Sequence, residues 1–150
     1  MNIIAEHIIN ANFYSSLRNI ESWLEIRFEH YDWHLADVDG GWLNIVSPCW
    51  LSGDEIRIKI DEFDWQFRWA VFSAYPKGFS PFLSTKPYVD CNTSFWTESA
   101  SKQLDDSIFE IVCWDSSATI FIGLPEDLAK NILKNAVGSK LLGELSISDS

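Results

Sequence analysis

The segment His30-Tyr31-Asp32-Trp33-His34 sets two imidazoles and a carboxylate at alternate positions. In an extended strand, alternate side chains point to one side. Two histidines with one carboxylate form the ligand set of several metal sites and could also serve acid/base chemistry. The spacing matches no zinc motif, so we read His30, Asp32 and His34 as the polar side of a strand and expect no metal or cofactor. Cys49, Cys91 and Cys113 are widely separated, lack a CxxC pair and read as reduced, mostly buried small hydrophobes.

Carboxylates occur in pairs and triplets: Asp37 with Asp39, Asp54 with Glu55, Asp61 with Glu62 and Asp64, Asp105 with Asp106. A glycosidase needs two carboxyl groups across a sugar cleft, but a chain this acidic supplies many such pairs, and none stands out. No GxSxG, SxxK, GxGxxG or GxxxxGK[ST] motif is present, so the residues supply no nucleophile setting or phosphate cradle. The sequence reads as a non-enzyme.

Charge is the extreme feature, with 22 acidic against 11 basic residues and a formal net charge of −11. Such a chain repels phosphate backbones and anionic lipid and favours a basic partner. Met1 to Asn10 lacks a basic stretch followed by an apolar run, and no window approaches the ~18 apolar residues of a membrane span. The expected address is cytoplasmic. With 47% hydrophobic and 15% aromatic residues the chain can build a core. We expect one domain over 1–150, with the tail after about residue 145 loose.

Apolar residues from Ile3 to Ile20 recur at helical spacing, with strand as the rival reading. Leu24, Ile26 and Phe28 alternate with charged residues as in a strand that continues through His34. Asp39-Gly40-Gly41 is a turn, with Trp42 to Val46 expected as the partner strand. Ile56, Ile58 and Ile60 alternate with Arg57 and Lys59 and read as a further strand. Beyond the acidic corner Asp61–Asp64, Trp65, Phe67, Trp69 and Val71 should share one face. Pro76, Pro81 and Pro87 mark an irregular loop between Tyr75 and Asn92. Ile108 to Trp114 and Thr119 to Ile122 form two strands around Asp115-Ser116-Ser117. Pro125, the stripe Leu128/Ile132/Leu133/Ala136/Val137 and Gly138 outline a C-terminal helix. The predicted fold is α+β: an antiparallel sheet of about five to seven strands packed by one or two helices, including the C-terminal one.

Eight tryptophans are present, and Trp33, Trp42, Trp50, Trp65, Trp69 and Trp96 all lie close in sequence to acids. Apolar anchors ringed by carboxylates are how a face for a basic protein is built. In this whole-chain character (small, acidic, motif-poor, α+β, aromatic beside acidic) the protein resembles bacterial immunity proteins of the bacteriocin or contact-dependent growth inhibition kind. The resemblance implies a protein that binds the cytotoxic, often nuclease, domain of a cognate toxin and blocks its active site. Asp32, Trp33, Asp37, Asp39, Asp61, Glu62, Asp64 and Trp65 are the residues we expect to meet the partner. Two other readings are open: a small-ligand protein or hydrolase with a His30/Asp32/His34 pocket, and a nucleic-acid mimic that inhibits restriction or CRISPR enzymes. The mimic ranks lower because Arg57, Lys59 and Arg68 interrupt the acids.

Overall fold

Strands form where β-branched and aromatic residues run together. The computed structural model describes residues 1–96 and 99–142, and among these residues it has seven strands. They are β1 Ile3–Glu6, β2 Tyr31–Gly40, β3 Cys49–Leu51, β4 Phe67–Pro76, β5 Phe109–Trp114, β6 Ala118–Ile122 and β7 Lys140–Leu141. They make one antiparallel sheet in the order β3-β2-β4-β5-β6-β1-β7. Both edge strands are very short, which limits unwanted edge-to-edge pairing. The expected tail after residue 145 lies outside the described residues.

Among the described residues three α-helices cover one face: α1 Leu17–Leu24, α2 Gly53–Glu62 and α3 Glu126–Asn135. Leu17, Ile20, Trp23 and Leu24 of α1, Ile56 and Ile60 of α2, and Leu128, Ala129 and Ile132 of α3 pack on Trp33, Leu35, Phe72, Phe109 and Ile111 of the sheet. The opposite face carries a second core of Ile4, Trp69, Val71, Val112, Ile120 and Ile122. It is covered by the segment between β4 and β5, through Val89 and Phe95. The C-terminal helix, the β5/β6 hairpin and the long loop after β4 lie where the sequence put them.

Five local readings are corrected. The N-terminal apolar run divides into strand β1 and, after a break, helix α1. Ser16 caps α1 by accepting the Asn19 N–H at 3.2 Å, and Glu25 ends it in a left-handed conformation at φ 57°. Leu24 to Phe28 is therefore the helix end and a 3-10 turn rather than a strand. Trp42 to Val46 is a loop, because β2 pairs instead with β3, Trp33 opposite Leu51. Ile56 to Ile60 is helical, since Ser52 and Glu55 form a reciprocal capping box that starts α2. Finally, Phe67 joins the helix-side core while Trp69 and Val71 face the other way. The β2–β4 register slips between Asp39, opposite Trp69, and Gly40, opposite Phe67, and a bulge of that kind re-aims side chains.

Gly53, the first residue of α2, lies against the preceding chain. A Cβ there would sit 2.3 Å from the Glu29 carbonyl oxygen and 2.6 Å from that of Tyr31. Gly53→Ala must push backbone against backbone, and we expect it to lower stability by about 1–3 kcal/mol. A urea midpoint equal to wild type would contradict this packing.

Candidate functional site

Helix α2 delivers Lys59 and Glu62 to one side, because residues three and four apart on a helix are neighbours. Phe63 follows as its C-cap, donating its N–H to the Lys59 carbonyl at 3.4 Å. Opposite runs the loop after β2, with Trp42, Leu43 and Asn44. Together with Trp65 these residues line a cleft of about 420 Å³. Trp42 forms its floor, packed edge-on to Phe67 at 5.2 Å between ring centroids and to Phe72 at 6.2 Å. Phe63 and Trp65 form one wall, their rings 4.5 Å apart and tilted by 41°. Leu43 is 71% exposed, Phe63 56% and Trp65 37%, so the cleft offers apolar surface to solvent.

Among the residues expected to meet a partner, Glu62 and Trp65 line the cleft, and Asp61 and Asp64 flank them in sequence. Asp61 is exposed, but Arg57 holds it at 2.8 Å. Asp64 accepts the Ser16 hydroxyl at 2.6 Å and so ties the α2–β4 link to the start of α1. Asp39 is exposed at the end of β2 that feeds the cleft loop, 3.9 Å from Arg68.

The other three do different work. Trp33 is 0% exposed and donates its indole N–H to the Phe28 carbonyl at 2.9 Å, so it is a core residue and no anchor. Asp32 accepts the N–H groups of Gly53 at 3.0 Å and Gly78 at 2.8 Å, clasping two distant segments to β2. Asp37 accepts the N–H groups of Val89 and Asp90 and anchors the covering loop in the same way.

Sequence reasoning missed Trp42, Leu43, Lys59 and Phe63. The capping box Ser52-x-x-Glu55 was the available signal: once α2 is a helix, 59, 62 and 63 must fall together. The acidic surplus is not confined to this end, since Asp90, Asp105 and Asp106 sit in the segment over the opposite face. What distinguishes the cleft is the setting of Glu62, which lies beside exposed aromatic rings and, like Asp90, Asp105 and Asp106, has no cation within ion-pair distance among the described residues. Elsewhere Glu25 meets Lys134, Asp54 meets Lys77, and Glu126 meets Lys130.

His30, Asp32 and His34 make no pocket. His30 is exposed in the 3-10 turn before β2, and both oxygens of Asp32 are engaged. His34 is 4% exposed against Trp50, and burial lowers its pKa. Among the described residues no group of three or more His, Cys, Asp or Glu is placed to hold a metal ion. His34 stands in register with Ser73 and, beyond it, Glu110. This row is buried: the Ser73 hydroxyl donates a hydrogen bond to Glu110 at 2.7 Å, and Glu110 also accepts the Gln103 and Leu104 N–H groups. Burial pushes the Glu110 carboxyl upward against those hydrogen bonds.

Arg57 knots the 3-10 turn to two helices, reaching Glu21 at 2.7 Å and Glu29 at 3.0 Å as well as Asp61. Burial opposes charge on Glu29, yet hydrogen bonds from Arg27, its own backbone N–H and Arg57 outweigh it and hold the carboxyl at about 2, below its ordinary 4.5. A carboxyl depressed on folding contributes stability above its unfolded pKa and loses it as pH falls through the folded one. Glu29→Gln is therefore expected to flatten stability against pH between about 4.5 and about 2. Urea unfolding across that window measures it, and an unchanged acid limb would contradict the assignment.

Fold and site define an α+β protein with an open aromatic cleft bordered by one carboxylate, Glu62. No family model, no curated protein and no solved structure matches the chain. Among the described residues no helix is long and apolar enough to cross a membrane.

Proposed function

We propose that this chain is an immunity-type inhibitor that docks a basic toxin domain, of the nuclease kind, on the cleft formed by Trp42, Leu43, Glu62, Phe63 and Trp65. The observation that carries this reading is the pairing of exposed aromatic side chains with an unpaired carboxylate, on a chain of net charge −11. Buried aromatic anchors supply most of the affinity of an interface, and complementary charge speeds encounter. A nuclease domain is basic where it holds phosphate, so a carboxylate-bordered face competes for that surface. The complex would bury about 1,600 Å² in total, the standard size for a specific pair.

The test is protection. A reading frame encoding a toxic C-terminal domain is expected beside this gene; cells producing that domain should grow when the chain is co-expressed, and the two proteins should co-elute. Continued growth arrest with no complex would reject the proposal. Within a complex, Glu62→Lys is expected to slow association at low salt and to flatten its salt dependence, leaving dissociation little changed. Stopped-flow mixing at two ionic strengths reads this, and an unaltered rate would move the charged contact elsewhere.

A further inference from the structure

We infer that the cleft is a receptor for a cationic side chain of the partner, an arginine guanidinium above all, and that Lys59 holds its place in the free protein. The inference rests on the reading of the cleft as the docking face and names the chemistry that enters it.

Lys59 is the cation among the cleft's lining residues, and its ammonium lies 5.8 Å from the centre of the Trp42 ring. Among the described residues it makes no ion pair, and its charge faces that indole ring. Glu62 borders the same space and is also without a cation partner. An aromatic face with a carboxylate nearby is the environment that attracts a desolvated cation. The end of α2 already collects one guanidinium, because Arg18 donates from Nε to the Ile60 carbonyl at 3.0 Å and from Nη2 to the Asp61 carbonyl at 3.2 Å. The last turn of a helix favours positive charge through its unsatisfied carbonyls.

The space is large enough for a second cation. Its volume of about 420 Å³ is in the range of small-ligand sites, ~300–1,000 Å³. Phe63 and Trp65 stand exposed beside it, with no cation over either ring among the described residues. Arginine fits better than lysine because its planar, weakly hydrated group stacks on aromatic faces and pairs with a carboxylate. An anionic ligand would meet Glu62 and the net charge of the chain, with Lys59 as the one cation lining the cleft. Lys59 sits on a flexible four-carbon stem, so an incoming guanidinium can displace it toward solvent.

The experiment titrates three blocked amino-acid amides into the isotope-labelled chain and follows the indole N–H signals of Trp42 and Trp65. The probes are N-acetyl-arginine amide, its neutral isostere N-acetyl-citrulline amide, and N-acetyl-glutamate amide. The expected result is saturable shifts with the arginine probe alone. Lys59→Met should tighten its binding about three- to fivefold, and Glu62→Gln should weaken it by a similar factor. Equal responses to citrulline, a glutamate response that Lys59→Met abolishes, or silence at both indoles would each overturn the inference. A chain whose cleft ignores arginine but which still protects cells from the adjacent toxin leaves the proposed function standing and removes this receptor. One that binds arginine without protecting does the reverse.

Discussion

Truncating Phe63 and Trp65 together to alanine is expected to weaken toxin binding at least a hundredfold while leaving the fold intact. Each aromatic anchor at the centre of an interface is worth roughly 2 kcal/mol or more, and every 1.4 kcal/mol is tenfold in affinity. Both rings stand partly in solvent in the free protein, touch each other and lie outside the two cores. Their removal should therefore cost stability only on the scale of surface substitutions, about 0.5 kcal/mol each. Calorimetric titration of the double variant measures the first effect and urea unfolding the second. Full affinity would show that the partner sits elsewhere.

Trp33→Ala is expected to do the opposite. The indole is fully buried, tilted against Phe28 at 4.6 Å and edge-on to Phe109 at 5.9 Å between ring centroids, and hydrogen-bonded to the Phe28 carbonyl. Emptying such a site costs about 3–5 kcal/mol, a large part of the 5–15 kcal/mol that holds a typical domain. The urea midpoint should fall steeply, and whatever fraction remains folded should bind with unchanged affinity. A small loss of stability would mean that Trp33 is less committed to the core than its burial indicates.

The contrast between these two tryptophans marks how far the sequence could be read. Trp33 and Trp65 both sit beside acids in the chain, yet neighbours in sequence say little about which side of a strand faces the core. The hairpin β5/β6 and helix α3 were legible because their signals are local: a turn at Asp115-Ser116-Ser117, Pro125 at the helix start and Gly138 after its end. Helix α2 was not, because Ile56 and Ile60 share a face at period 2 and at period 3.6 alike. Ile58 alone discriminates, and it is exposed. Asp32 and Asp37 looked like surface charge. Their roles depend on N–H groups far along the chain, at Gly53, Gly78, Val89 and Asp90, which no local pattern announces.

Reading α2 as a strand also hid the cleft. Lys59, Glu62 and Phe63 meet only on a helix, and Trp42 faces them only because its segment is a loop instead of a strand. Of the residues named from the sequence, Glu62 and Trp65 line the cleft. The aromatic floor and wall depended on tertiary structure.

Amide hydrogen exchange of the chain with and without the adjacent toxin domain tests the central claim most directly. Slowed exchange over residues 42–44 and 59–65, with little change elsewhere, is the predicted result. Protection confined to the segment over the opposite face, where Phe79, Phe82 and Tyr88 are exposed, would contradict it.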